Sequence, residues 1–137
     1  MFEVGLMQLL KNDSGVAALI SGRLFGGRVP KDATNSTYPC AVWTVATTVD
    51  LYSSDGQSGY RTSRVQFDAY AIKYIDVLNV KEAIKAALQD FKQATLPDGT
   101  FVDRMVVIED RDFETEPGIS GQLYRRLLEV EIAYIES

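Results

Sequence analysis

Histidine is absent from this sequence of 137 residues, and Cys40 is its only cysteine. A lone cysteine excludes a disulfide within the chain and argues against a thiolate metal cluster. Without histidine, the chain lacks the commonest general base and the commonest transition-metal ligand, and it cannot form a Ser-His or Cys-His nucleophile pair. These absences weigh against the main classes of enzyme.

Long apolar runs are also missing, since none approaches the roughly 18–20 residues that a membrane-spanning helix needs. The first residues include Glu3 where a secretion signal would carry Lys or Arg. We therefore expect synthesis in the cytoplasm. The length predicts a single domain over residues 1–137.

Positive charge is in deficit, with 14 basic against 19 acidic residues and a formal net charge of −5. A protein that tracks nucleic-acid phosphates usually carries a basic excess. The overall charge therefore gives no support to a groove-binding or phosphate-tracking function.

The clearest pattern in the sequence is a strand that leads directly into an amphipathic helix, from Tyr60 to Phe91. Apolar residues alternate from residue 65 to residue 71, and this period of two is typical of a half-buried strand. From Tyr74 the apolar spacing changes to three or four, which predicts one buried helical face. The predicted core residues of this unit are Val65, Phe67, Ala69, Ala71, Val77, Val80, Ile84, Leu88 and Phe91.

The rest of the chain divides into similar elements. Residues 2–20 are compatible with one amphipathic helix that has a break, which is the favoured interpretation, or with two short helices, and Ser14 is expected to cap the second half. Residues 23–25 are compatible with a short strand. A long strand from Cys40 to Leu51 is predicted to place Ala41, Trp43, Val45, Thr47 and Val49 on one face. Residues 52–59 predict a flexible loop between two hairpin strands, longer than a tight hairpin needs. Two further strands are expected at residues 100–112 and 123–135, joined by a loop.

The order of these elements, α-β-β-α-β-β, predicts an α+β domain. The sheet should have four strands, antiparallel or mixed, with the helices packed on one face. The other face must then be solvated or buried against a neighbour. In the last strand that face is acidic, because Glu129 and Glu131 alternate with apolar residues.

An acidic segment at residues 109–116 is the strongest candidate for metal chemistry. It lacks the glycine and the terminal glutamate of an EF-hand loop, so a solvated strand end and loop is the favoured interpretation. The basic residues Arg61, Arg64, Arg125 and Arg126 are better explained by ion pairs across strands or between subunits than by base stacking. No catalytic constellation and no cofactor site is predicted, so we do not expect an enzyme.

Taken in order, these segments resemble a phage protein family: the tail-completion, or tail terminator, proteins of long-tailed bacteriophages and prophages. The resemblance spans nearly the full length, and the segment Ser63–Ala71 is the most telling. Its other parts are Leu9–Lys11, Val16–Leu19, Arg23–Phe25, Tyr38–Val42 and Leu123–Ile132.

The resemblance implies an α+β fold and a hexameric ring in the virion, at the neck, where the tail tube meets the head. Such rings end tail polymerisation and dock to the head connector, and they have no catalytic residues. The implied partners are other copies of the chain, the tail tube protein and a head connector or stopper protein. DNA would pass through the ring without specific binding. A role as a head–tail connector or stopper component is the main alternative, and a small metal-dependent enzyme is a weaker one.

We expect the interfaces of such a ring on the outward face of the Tyr60–Ala71 strand, at the hairpin tip and on the acidic segments. With six copies at −5 each, the ring would carry about −30 charges, and we expect acidic residues of the 109–116 segment or of the last strand to face the channel. The candidate interface residues are Asp55, Gly56, Arg61, Arg64, Gln66, Asp68, Tyr70, Glu114, Glu116, Arg125, Glu129 and Glu131.

Overall fold

The computed structural model of the chain describes residues 1–53, 56–89, 91, 93–112, 116–118 and 121–135. Two helices come first, and one helix lies between two groups of strands. The helices are α1 (Phe2–Asn12), α2 (Ser14–Ile20) and α3 (Tyr74–Gln89), and a 3₁₀ turn spans Asn35–Thr37. The strands are β1 (Leu24–Gly26), β2 (Cys40–Ser53), β3 (Gly56–Ala71), β4 (Ala94–Thr95), β5 (Phe101–Asp112), β6 (Glu116–Gly118) and β7 (Gly121–Ile135).

These elements form an α+β fold around one mixed sheet, as predicted, but the sheet is larger than the four strands expected. Its strand order is β1-β2-β3-β7-β5-β4, and β6 pairs only with β7. The four predicted strands are the four long ones. The short strand expected at residues 23–25 is present as β1, one residue further along the chain. The strands β4 and β6 were not predicted, because two or three residues give too short a pattern for periodicity to detect.

The core lies between the three helices and one face of the sheet, which we call the helix face. Alternate residues of β3 and β7 supply the sheet side of this core, and α3 supplies the residues that the helical spacing predicts. Phe2 of α1 stacks on Tyr134 of β7, with ring centroids 3.9 Å apart. Burial of each such side chain contributes about 1.5–3 kcal/mol. The fully buried core residues include Phe2, Leu6, Leu10, Val65, Phe67, Val77, Val80, Ile84, Leu88, Leu128, Val130, Ile132 and Tyr134.

The break near the N-terminus separates two helices, and Asp13 rather than Ser14 caps the second. The Asp13 carboxylate accepts a hydrogen bond from the Gly15 N–H at 3.2 Å. Ser21 ends α2 in a left-handed conformation, with φ 47°, and Gly22 follows with φ 80°. The predicted end of the helical region at residue 20 is therefore confirmed.

Strand β2 contains a bulge that the sequence analysis did not predict. Its pairing with β3 shifts between Val45 and Thr47, so Ala46 is an extra residue. A bulge of this kind reverses which residues face each side of the sheet. Ala41, Trp43 and Val45 pack toward the core as predicted, but Thr47 and Val49 lie on the opposite face, and that part of the prediction was wrong.

The hairpin between β2 and β3 is also tighter than predicted. Strand pairing continues to Ser53 and Gly56, so most of the predicted loop at residues 52–59 is strand. Serine and glycine did not end the strands, because ladder hydrogen bonds between the two backbones do not depend on side-chain type. Since β3 pairs with β7 only from Tyr60 onward, the β2–β3 hairpin extends past the rest of the sheet as a two-stranded ribbon.

Candidate functional site

The face of the sheet opposite the helices, which we call the second face, carries most of the predicted interface residues. Arg64 and Gln66 of β3 lie directly beside Glu131 and Glu129 of β7 in the strand register. Arg64 is exposed, and the other three are half-buried. Next to them, Thr47, Val49 and Thr62 join Arg64 and Glu131 around an open groove of about 330 Å³. The second face therefore presents a mixed surface of arginine, glutamate and β-branched residues.

Asp68 lies on the same face but is only 4% exposed, so it is not the outward residue that the strand pattern predicted. Arg125 of β7 forms an ion pair with the Asp68 carboxylate. The Arg125 Nε atom and one terminal guanidinium nitrogen each lie 3.1 Å from the same Asp68 oxygen. The Arg125 guanidinium also lies 5.7 Å from the centre of the Tyr70 ring. The ion pair predicted for Arg125 is confirmed, and its partner is on the neighbouring strand.

A larger groove of about 470 Å³ surrounds this ion pair. The segment after β1 forms one wall, with Arg28 and Tyr38, and the sheet forms the other. Because Asp68 and Arg125 satisfy each other, the groove offers a neutral polar floor rather than a strong charge.

Arg61 occupies a different place from the other predicted residues of β3. It shares its parity with Ser63 and Val65, which face the core, so it lies on the helix side of the sheet. The Arg61 Nε atom lies 2.6 Å from the Asp50 carboxylate of β2. The outward placement of Arg61 was therefore wrong. Side chains alternate between the two faces of a strand, so Arg61 cannot share a face with the even-numbered residues Arg64 to Tyr70.

The two aspartates at the end of β5, Asp110 and Asp112, are paired with basic side chains on the helix face. Asp110 accepts hydrogen bonds from Arg126 Nε at 2.9 Å, and Lys81 Nζ lies 3.2 Å away. Arg126 also bonds Asp112 at 2.8 Å, and Tyr74 donates to the same carboxylate. The predicted pairing of Arg126 with acidic residues is confirmed, whereas the solvated strand end is wrong for Asp110.

This cluster shifts the pKa values of its members. Burial would raise the pKa of Asp110, but the hydrogen bonds and charges of Arg126 and Lys81 outweigh it and hold that pKa below its ordinary value. The sequence analysis missed Lys81, which is buried at 7% exposure, because a lysine on an amphipathic helix is usually assigned to the solvent side. The carboxylates of Glu82 and Asp110 both pair with the Lys81 ammonium group and supply the countercharge that permits its burial.

Four of the candidate interface residues have no described side chain. Asp55 and Glu114 lie outside the described residues. Gly56 opens β3 and Glu116 opens β6, and only their backbone is described. The expectation that acidic residues of the 109–116 segment or of the last strand face the channel stays a prediction.

No metal or nucleophile site is found in the described part of the chain. Among those residues, no group of three His, Cys, Asp or Glu side chains is arranged to hold a metal ion. Glu109 is paired with Arg111 at 2.6 Å. Cys40 is fully buried, and burial raises the pKa of its thiol to about 12, so it is a poor nucleophile. None of the described helices is long and apolar enough to cross a membrane.

An apolar groove of about 430 Å³ lies between α1 and the start of the sheet at β1 and β2. Val4 and Met7 of α1 line one side, and Leu24, Gly26 and Trp43 line the other. Gly26 is needed there, since a β-carbon at this position would lie 3.1 Å from the Trp43 ring. Trp43 is therefore a half-buried residue that packs against the core.

Comparison with known proteins gives matches of two kinds. A family model described as tail completion protein gp17 matches residues 4–135. No curated protein matches the sequence. Among solved structures, a chain of "Virion of native gene transfer agent (GTA) particle" has the same fold, with a TM-score of 0.70 over 98% of this chain and 94% of that chain. The two sequences are 14% identical, so this similarity is one of fold.

Proposed function

Because the chain belongs to the tail completion protein gp17 family, a family of structural phage tail proteins, we propose that it forms a ring at the head-proximal end of the tail tube. There it ends tail polymerisation and joins the tail to the head connector. The tail tube protein and a connector or stopper protein are the proposed partners. The observation that carries this proposal is the family match over residues 4–135.

The layout of the sheet supports a role between two different partners. The β2–β3 ribbon extends beyond Tyr60 at one end of the sheet. At the opposite end, β6 and the first residues of β7 form a second hairpin beyond the main sheet. An adaptor needs two distinct ends, and the chain presents a strand hairpin at each. We propose that one hairpin contacts the tail tube and the other contacts the connector.

The second face is the proposed lining of the channel. It carries Glu129 and Glu131, while Asp110 and Asp112 are paired with basic residues on the helix face. Among the described residues, the glutamates of the second face rather than Asp110 and Asp112 are therefore the acidic side chains that we propose repel DNA phosphates. The proposed assembly is a hexamer in the virion neck, made of single-domain copies, through which DNA passes without specific binding.

The experiment is to propagate the phage without this chain and examine its tails by electron microscopy. We expect tails of irregular, excessive length that do not join heads, and supplying the chain in trans should restore both properties. Tails of normal length that fail only at joining would favour the alternative role of a connector or stopper component. Normal tails joined to heads would contradict both roles.

A further inference from the structure

Two long strands of the sheet have stretches without a strand neighbour among the described residues. β1 covers β2 only at residues 41–43, and β4 covers β5 only at residues 101–102. We call residues 44–53 of β2 the β2 edge and residues 104–112 of β5 the β5 edge. These two stretches lie at opposite lateral edges of the sheet and have similar lengths.

We propose that the β2 edge of one copy pairs with the β5 edge of the next copy, so that the sheets of neighbouring subunits become continuous around the ring. This inference rests on the proposed ring and assigns the surfaces that hold it together. Strand addition at a sheet edge is a common way for proteins to associate, because backbone hydrogen bonds supply the contact.

Strand direction favours this pairing. From β2 through β3 and β7 to β5, each neighbour is antiparallel to the one before, so β2 and β5 run in opposite directions. A copy placed beside the first in the same orientation therefore meets it with antiparallel strands. A contact that joins two different surfaces in this way is the kind that generates a ring.

The short edge strands fit the same arrangement. β1 covers the N-terminal end of β2, and β4 covers the N-terminal end of β5. In an antiparallel pairing these two short strands come to opposite ends of the contact and leave the middle free. In a parallel pairing both short strands would come to the same end of the contact, so their positions favour the antiparallel form.

Exposed valines mark the two edges on the same face. Val49 on the β2 edge is 64% exposed, and Val106 on the β5 edge is 49% exposed. The bulge at Ala46 turns Val49 to the second face, beside Thr62, and Val106 lies there beside Glu131. The antiparallel register that sets Val49 opposite Val106 places residues 44–51 beside residues 104–111, so this register lies within both edges. Pairing would then bury two β-branched side chains that are otherwise in water.

The β2 edge also lacks the usual protection against pairing. Natural edge strands commonly carry lysine or proline, which discourage association. Residues 44–53 contain neither, and their one charged residue, Asp50, is paired with Arg61 of the same chain. The edge is therefore built to accept a strand.

Cross-linking through engineered cysteines tests the pairing. In the double variant Val49→Cys/Val106→Cys, treated with a short bis-maleimide at neutral pH, we expect a ladder of covalent oligomers larger than a dimer. The buried Cys40 thiol should not react, as the unmodified chain will show. Each single variant should remain uncrosslinked, and a mixture of the two single variants should give dimers alone.

The reaction is run on purified protein and on tails assembled with the variant. Rings seen by electron microscopy that never cross-link at these positions would overturn the edge pairing and leave the proposed function standing. Dimers from Val49→Cys alone would also overturn it, because they indicate a two-fold contact between β2 edges. A chain that forms no ring even on tails would contradict the proposed function itself.

Discussion

At the scale of single residues, the cluster around Asp110 shows how this protein tolerates charge beside its core. Lys81, Lys85 and Arg126 converge on one carboxylate, at 3.2, 3.8 and 2.9 Å. A buried lysine is costly unless its charge is matched. Asp110 therefore holds α3 to the end of the β5–β7 hairpin.

Replacement of Asp110 by Asn should lower the free energy of unfolding by about 2–3 kcal/mol, because Lys81 and Arg126 would lose their shared countercharge. Urea denaturation at neutral pH measures the change. The matched control is Glu109→Gln, which breaks the exposed pair with Arg111 and should cost no more than about 0.5 kcal/mol. Equal effects for the two variants would show that the Asp110 cluster is not stabilising.

The difference in stability between the wild type and the Asp110→Asn variant should also depend on pH. The pKa of Asp110 is lowered in the folded protein from an ordinary value of 3.8, so its contribution to stability is present above that value. That contribution is lost as the pH falls through the lower, folded-state pKa. We therefore expect the stability difference between the wild type and Asp110→Asn to be constant near neutrality and to shrink below pH 3.8.

At the scale of elements, α1 crosses the turn between β4 and β5 so closely that it requires glycine. A β-carbon built on Gly5 would overlap the Asp98 carboxylate, at 2.6 Å from Cγ. Asp98 is held in place because it accepts hydrogen bonds from the Thr100 N–H at 3.1 Å and the Thr100 hydroxyl at 2.8 Å. The helix and the turn are thus fitted to each other.

The substitution Gly5→Ala should destabilise the protein by about 1–2 kcal/mol, since displacement of Asp98 outweighs the gain in helix propensity. The control is Gly15→Ala in α2, where the position is exposed and the new β-carbon would lie 3.5 Å from Asp13. That variant should be stabilised by about 0.5 kcal/mol. Thermal unfolding compares the two, and a stabilising Gly5→Ala would show that Asp98 moves freely.

Most elements of this fold could be predicted from periodicity, and the errors have physical causes. The pattern of β3 and α3 identified the core residues correctly because each has a regular period and no interruption. In β2 the same rule failed beyond Ala46, since one extra residue reverses the faces and its own side chain is too small to signal a bulge. The buried pair of Asp68 and Arg125 could be anticipated as an ion pair, but its burial depends on the segment that folds over the second face.

At the scale of the whole molecule, the sheet separates a helix-covered face from a second face that has no helix layer among the described residues. If neighbouring copies pair edge to edge, the sheet becomes continuous and the helices lie on one side of it. The proposed ring places them outside and the second face inside. The strand hairpins at the two ends then point along the channel, toward the tail tube and the connector.

Charge reversal on the proposed channel face should affect DNA passage more than assembly. For the double variant Glu129→Lys/Glu131→Lys, we expect rings that form normally and infectivity that falls by at least about tenfold, because lysines would retain phosphates in the channel. Plaque counts and electron microscopy of the variant measure both. The same reversal at Glu3 and Asp76, on the helix layer, is the control and should leave infectivity unchanged. Unaltered infectivity of the Glu129→Lys/Glu131→Lys variant would count against the channel placement.

The most direct measurement is a cryo-EM map of an intact virion at the junction of tail tube and head connector. The account predicts a closed ring of this chain between the two, with its helices outward and Glu129 and Glu131 lining the channel. A map in which this chain lies elsewhere, or in which another protein fills that junction, would contradict it.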